Sequence, residues 1–392
     1  KVRPRRLRVR ILTAILFITL FAAIWHEMHT SFYQSRYLTA YAAKLSYTIE
    51  EEETRNIVFP EGGPFNKRRG YSRMPEFIQR LEARNYQVVE QASFSPELSE
   101  ITKRGITPPY LENPVVGLTI YDSDGAPVYD ATAGRQVFGQ FEDIPPLIVK
   151  SLLFIEDREL DNPPVPHSNP VINWNRLVMA GILYSGNKIG LPVQVEGGST
   201  LATQLEKYRY SPRGYTTSIA DKLRQMTSAT LRVYRDGRNT LAARRRIILD
   251  YINTAPLAAV PGHGEIYGLG AGFHAWFNRS LSDVSQSLSY PDTDPKKVQA
   301  FRQALTLLCA VRAPTYYMVY NYPALEKRVS DYITLLKEGG IIDADFASRA
   351  RQTAVIFSPG KYMSAVVPFP VQKAVNSVRS KLTRTLKVTD YY

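Results

Sequence analysis

Apolar positions along this chain follow two rhythms and one long uninterrupted run. From Val115 to Tyr129 the period is two: Val116, Leu118 and Ile120 alternate, Asp122-Ser123-Asp124-Gly125 reverses the chain, and Val128 resumes the pattern. That predicts a β-hairpin. Beyond it the period becomes helical. Ile144-Pro145-Pro146 supplies a helix start with proline in the first turn, and Leu147 to Arg158 would bury Leu147, Ile148, Leu152, Phe154 and Ile155. Glu156 then falls near a helix C-terminus, beside apolar neighbours. Further helices are expected over Trp174–Leu183, Leu201–Tyr208, Ser218–Tyr234, Leu241–Asn253, Val298–Val311 and Ala324–Leu336, punctuated by glycines and prolines. Upstream, Met74 to Glu90 reads as a short helix followed by a strand.

The uninterrupted run is Ile11 to Trp25, free of charge. Alone it is short, since a membrane helix needs roughly 20 residues. Val9 to Met28 reaches that length with Arg10 snorkelling, Trp25 in the interfacial belt and Glu27 at the far interface. Lys1, Arg3, Arg5, Arg6, Arg8 and Arg10 precede it, which places the N-terminus in the cytoplasm and the bulk of the chain outside it. A cleavable signal peptide fits less well, because the best cleavage site, Ala40-Tyr41-Ala42, lies far beyond the apolar run.

The chain has 392 residues and a net charge of +13. Its length has room for one large domain or two smaller ones. Much of the charge sits in the N-terminal tail, and no nucleic-acid recognition motif accompanies it, so anionic lipid or an anionic substrate is the expected partner. Cys309 is the single cysteine and lies in an apolar run, where it reads as a small core hydrophobe. No repeated βαβ pattern or Gly-x-Gly-x-x-Gly element points to a nucleotide-sugar Rossmann fold. His263 and His274 lack a carboxylate partner at metal-ligand spacing.

Two segments carry candidate chemistry. Glu156-Asp157-Arg158, with His167 and Arg176 downstream, offers a base in charged company. Gly197-Gly198-Ser199-Thr200 opens a helix bearing Gln204 and Lys207 three residues apart on one face. Glycines permit close backbone approach, Ser199 or Thr200 can cap the helix, and free N–H groups at its start attract an anion. A base beside an anion cradle suits transfer chemistry on a phosphate-activated substrate. The bland alternatives are a surface glutamate and an ordinary capped helix.

The order and spacing of these segments resemble glycosyltransferase family 51, the peptidoglycan polymerases at the N-terminal end of class A penicillin-binding proteins. Glu156, Asp157, His167 and Arg176 match the first family motif, with Leu160 in place of its aromatic residue. Gly197 to Lys207 matches the second, with Thr203 where glutamine is usual. Asp221-Lys222-Leu223-Arg224-Gln225 stands where the family has Arg-Lys-x-x-Glu, so Gln225 replaces the second glutamate and Asp221 is a candidate substitute carboxylate. Arg244 to Asn253, Tyr267-Gly268, Ala275-Trp276-Phe277, Ala310 to Pro314 and Tyr320 to Pro323 resemble later motifs and read as packing elements.

The resemblance implies a mainly α, lysozyme-like transglycosylase domain with a small N-terminal β-hairpin, behind one transmembrane helix. Expected divisions are a basic tail at 1–10, an anchor at 11–28, an extracytoplasmic region at 29–112, the family domain at 113–361 and a linker at 362–392 toward a further C-terminal domain. No Ser-x-x-Lys nucleophile with its partners is seen, so penicillin binding is not expected. The implied activity is polymerisation of lipid II into β-1,4 glycan chains with release of undecaprenyl pyrophosphate. Glu156 would be the general base; Asp157, His167, Arg176, Ser199, Thr200, Gln204, Lys207, Lys222, Arg224 and Gln225 would bind substrate. No cofactor is required and no metal site is expected in the protein, although a divalent cation, Mg or Mn, could accompany the pyrophosphate. Expected partners are lipid II, nascent glycan strands, the bacterial inner membrane and other cell-wall synthesis proteins. Two alternatives remain: a catalytically weakened homologue serving as a scaffold in wall assembly, and a lysozyme-like enzyme cutting finished glycan.

Overall fold

A computed structural model describes residues 4–110, 118–130, 136–174, 176–179, 199–261, 263–358 and 368–388. The chain is mainly helical, as expected, with three separate two-stranded antiparallel sheets among the described residues. The helix Pro4–Thr30 holds one stretch, Val9–Thr30, long and apolar enough to cross a membrane, with none of that window buried against the protein.

At the centre lies the helix Pro295–Ala310, in which every residue from Ala300 to Ala310 is buried. A helix apolar nearly all round is stable only when wrapped by others. Pro146–Glu156, Leu269–Phe277, Leu281–Leu288, Tyr322–Glu338 and Ala344–Gln352 supply that wrapping. Arg302, almost wholly buried, pairs with Glu326 and donates to the Thr353 carbonyl at 3.3 Å. Burial pushes the Cys309 thiol up to about 12, consistent with its reading as a core residue.

The hairpin forms from Thr119–Tyr121 and Pro127–Asp130 around the expected turn; Val115 and Val116 lie outside the described residues. Leu201–Tyr210, Ile219–Val233, Leu241–Thr254, Pro295–Ala310 and Tyr322–Glu338 match the expected helices within a few residues at each end. The helix expected from Trp174 is described only at Trp174 and 176–179. Pro146–Glu156 buries Ile148, Val149, Leu152 and Leu153, whereas Leu147, Phe154 and Ile155 are only partly covered. Phe154 is held instead from two sides, by Gly339 and by the Arg158 guanidinium 3.8 Å from its ring centre.

The N-terminal region is built into the same body. Phe32–Ala42 packs on Ile219–Val233, and Phe65 is buried beside Tyr210 and Arg209. Arg232 donates to the Pro108 and Tyr110 carbonyls, at 3.1 and 2.5 Å, and pairs with buried Glu206. The stretch read as a linker contains the helix Phe369–Leu386, which lies against Met74–Glu82. Val371, Val375, Val378 and Leu382 recur at helical spacing, which explains it.

Candidate active site

Glu156 is the last residue of its helix. Asp157 already has extended backbone, φ −161° and ψ 93°, so the chain turns away and leaves the Glu156 carboxylate at the helix end, half-buried. Gln204 reaches it from Leu201–Tyr210: its Nε2 donates to Glu156 Oε2 at 2.8 Å. The other end of that amide accepts from the Tyr208 hydroxyl at 3.2 Å and the Tyr251 hydroxyl at 3.4 Å. A hydroxyl pair on Oε1 leaves only the NH2 group to face the carboxylate, which fixes the amide's orientation. Burial, then the nearby Glu156 charge, raises the proton affinity of Tyr208. Tyr251 is raised first by burial and then by Tyr208 and Glu156. Both hydroxyls therefore stay protonated as donors.

The start of the Gln204 helix is fixed by a reciprocal cap. Thr200 Oγ1 accepts from Thr203 N, while Thr203 Oγ1 accepts from Thr200 N at 3.0 Å. Thr203 thus completes the box in which a longer amide commonly stands. Thr200 Oγ1 also donates to the Val171 carbonyl at 3.0 Å, and the residue is 1 % exposed. Its hydroxyl is committed to the scaffold, so Thr200 shapes the cradle rather than presenting a free group to a ligand. Half-exposed Ser199 is different: Lys222 Nζ donates to its Oγ at 2.8 Å. Gly197 and Gly198 lie outside the described residues.

Two lysines converge here. Burial lowers the Lys207 proton affinity, opposed by the Glu156 charge. Burial, and then Lys207, push Lys222 down to about 8. Two partly desolvated cations that disfavour one another are relieved by an anion between them. Carboxylate, amide and two ammonium groups therefore form one cluster on three helices.

Other expected site residues are placed elsewhere. Burial raises the Asp157 carboxyl's proton affinity, countered by Arg176 and Arg244. The His167 ring packs edge-on to Phe32 at 6.1 Å, and its carbonyl accepts from the Tyr234 hydroxyl at 2.9 Å. Arg224 does not join the lysines; it pairs with Asp221 at 2.9 Å and lies against Gly105. Asp221 is held ionised by the Thr217 hydroxyl and by Arg224, which suits it poorly as a proton-donating substitute. Gln225 is buried, donating from Nε2 to Ser211 Oγ at 2.8 Å and Thr216 Oγ1 at 3.0 Å. Its hydrogen bonds tie the 211–216 loop to the Lys222 helix, and none reaches Glu156, Gln204 or the lysines.

A sequence profile of the transglycosylase family matches residues 124–337, more than half of the chain. The chain belongs to this transglycosylase family, glycosyltransferase family 51. Penicillin-binding protein 1A of Streptococcus oralis is 27% identical over 240 residues, covering 60% of this chain and 32% of that protein. The chain spans about a third of the length of that curated relative. The profile's stretch, 124–337, contains Glu156, Ser199, Thr200, Gln204 and both lysines.

Within this transglycosylase domain, three contributors escaped the sequence reading. Tyr208 lies one turn beyond Gln204 on the same face, a spacing that could have revealed it. Tyr251 and Arg244 lie in the helix read as packing. Arg244 is 4 % exposed and donates to the Leu160 carbonyl at 3.2 Å and to both oxygens of Ser168 at 2.8 Å. Arg245 and Arg246 turn instead to Glu142 and Asp161, and to Asp236. One arginine of three clamps the loop carrying Asp157 and His167, and nothing in a run of three identical residues says which. His263 and His274 lie edge to face at 5.6 Å, and no group of three metal-ligating side chains occurs among the described residues.

Proposed function

We propose that this chain is a peptidoglycan glycosyltransferase that polymerises lipid II into β-1,4 glycan with release of undecaprenyl pyrophosphate. The observation that carries the reading is the Glu156–Gln204 hydrogen bond on the helix whose next turn bears Lys207. Base and anion cradle are thereby held as one unit. Glu156 takes the proton of the acceptor's 4-hydroxyl as that oxygen attacks the anomeric carbon of the growing chain. The bond from that carbon to the pyrophosphate breaks, the configuration inverts, and the pyrophosphate leaves with its negative charge. Lys207 and Lys222 offset that charge where it develops.

The cluster offers one carboxylate among cations, which does not fit a protein-held divalent ion. Val9–Thr30 anchors the chain in the inner membrane with the N-terminus cytoplasmic, which concentrates the site near a lipid-linked substrate. Nascent glycan strands and other wall-synthesis proteins are the expected partners.

Labelled lipid II, incubated with the parent and with Glu156→Gln, tests the reading. Polymer from the parent and none from the variant is the expected result. A folded parent that binds lipid II without polymerising it supports the scaffold alternative, which glutamine at 225 in place of the family's second glutamate favours. Cleavage of purified sacculi supports the glycan-cutting alternative.

A further inference from the structure

We propose that Asn169 is a positioning residue that joins the exit of the membrane helix to the anion cradle, and so sets the cradle's pose relative to the bilayer. The inference rests on the transferase reading above. The chain leaves Pro4–Thr30 through Ser31, which has left-handed backbone, φ 54°, and is 1 % exposed. A non-glycine residue holds that conformation only when its surroundings over-determine it. Here they do. Glu27 accepts from the backbone N–H groups of Tyr33 and Gln34, at 2.9 and 2.8 Å, capping the next helix.

Ser31 Oγ accepts from Asn169 N at 3.0 Å. The Asn169 side chain then works in both directions. Its Nδ2 donates to Gln34 Oε1 at 3.0 Å on the anchor side, and its Oδ1 accepts from Val171 N at 2.9 Å on the site side. The Val171 carbonyl receives the Thr200 hydroxyl that caps the helix bearing Gln204 and Lys207. His167, in the same loop, adds its ring contact with Phe32, itself under Arg238. Every link from Ser31 and Gln34 through Asn169 and Val171 to Thr200 is a hydrogen bond between buried or half-buried groups, so displacement at Ser31 cannot be absorbed by water. The loop from Asp157 to Val171 is thus fastened to the anchor at one end of Asn169 and to the cradle at the other. A catalytic group displaced by about 1 Å can lose about a hundredfold in rate.

The test uses the full chain in lipid vesicles, with Ser31→Ala and Gln34→Leu cutting only the anchor side and Asn169→Ala removing one side-chain bond on each side, to Gln34 and to Val171. Two substrates are compared: a long-prenyl pyrophosphate-linked disaccharide embedded in the vesicles, and a short-prenyl soluble analogue. Ser31→Ala and Gln34→Leu are expected to lower kcat on the embedded substrate about tenfold and leave the soluble analogue within about twofold. Asn169→Ala is expected to lower both. Hydrogen exchange should also quicken at 169–171 and 200–204 in Ser31→Ala, but not in the central Pro295–Ala310 helix. Equal loss on both substrates in the anchor-side variants, or unchanged exchange at the cradle, overturns the inference. Parent inactivity on both substrates overturns the transferase reading instead, while the exchange pattern still decides the coupling.

Discussion

Gln204 donates to Glu156 at 2.8 Å across two helices that are 44 residues apart in sequence between the end of one and the start of the other. The bond orients the carboxylate, and two tyrosines orient the bond. Replacing Gln204 by leucine, of similar size but without the amide, should lower kcat by about a hundredfold with a smaller change in KM. Steady-state kinetics with lipid II measures the split.

Lys222 gives the site a pH limit. In the proposed mechanism its proton holds the pyrophosphate, and burial lets that proton go as pH rises through about 8. KM for lipid II should therefore climb above that pH, and Lys222→Arg should abolish the climb, because arginine stays protonated. Stability runs the opposite way. Between about 8 and lysine's ordinary value the unfolded chain binds more protons, so this group's contribution favours the folded state increasingly as pH rises. A KM–pH profile beside thermal melts separates the two effects.

Gln225 acts on stability first. Truncating it to alanine leaves buried Ser211 without its amide partner, at a cost of about 1–3 kcal/mol, while exposed Thr216 can turn to water. Polymerisation by the folded fraction should fall far less than in Glu156→Gln. A denaturant melt read against specific activity checks this; an activity loss equal to that of Glu156→Gln would place Gln225 in the chemistry.

Two glycines with the same φ should respond differently to alanine. Gly268 and Gly125 both have φ 81°, but an added Cβ at Gly268 would meet the Asn253 carbonyl oxygen at 2.3 Å, whereas nothing lies within 4 Å of one at Gly125. Gly125→Ala should cost about 1–2 kcal/mol, the left-handed strain alone. Gly268→Ala should cost well beyond that, because its ψ of 158° lies in a region essentially reserved for glycine and the Asn253 backbone cannot move aside as a flexible side chain can. Paired melting curves give the comparison.

Thr200→Ala removes the helix cap and leaves the Val171 carbonyl without its donor. A lowered Tm, equivalent to about 1–2 kcal/mol, is expected. The loss should exceed that of Ser199→Ala, whose hydroxyl is half-exposed and caps nothing.

By itself the sequence determined what depends on near neighbours. The 3.6-residue period marked the helices around Leu201, Ile219, Leu241, Pro295 and Tyr322, and the alternation before Asp122-Ser123-Asp124-Gly125 marked the hairpin. Motif spacing singled out Glu156, Gln204, Lys207 and Lys222, all of which the fold gathers. Only the tertiary structure decided between chemically equal candidates. It buried Arg244 and left its two neighbours on the surface, sent Lys222 to Ser199 and Arg224 to Asp221, and drew Gln225 into the 211–216 loop. It also built residues 30–110 into the body of the protein, through contacts such as Ser31 with Asn169, 138 residues away. Local pattern fixes which face of an element is apolar; which partner a polar group meets depends on how distant elements pack, and that is settled only when the chain closes on itself.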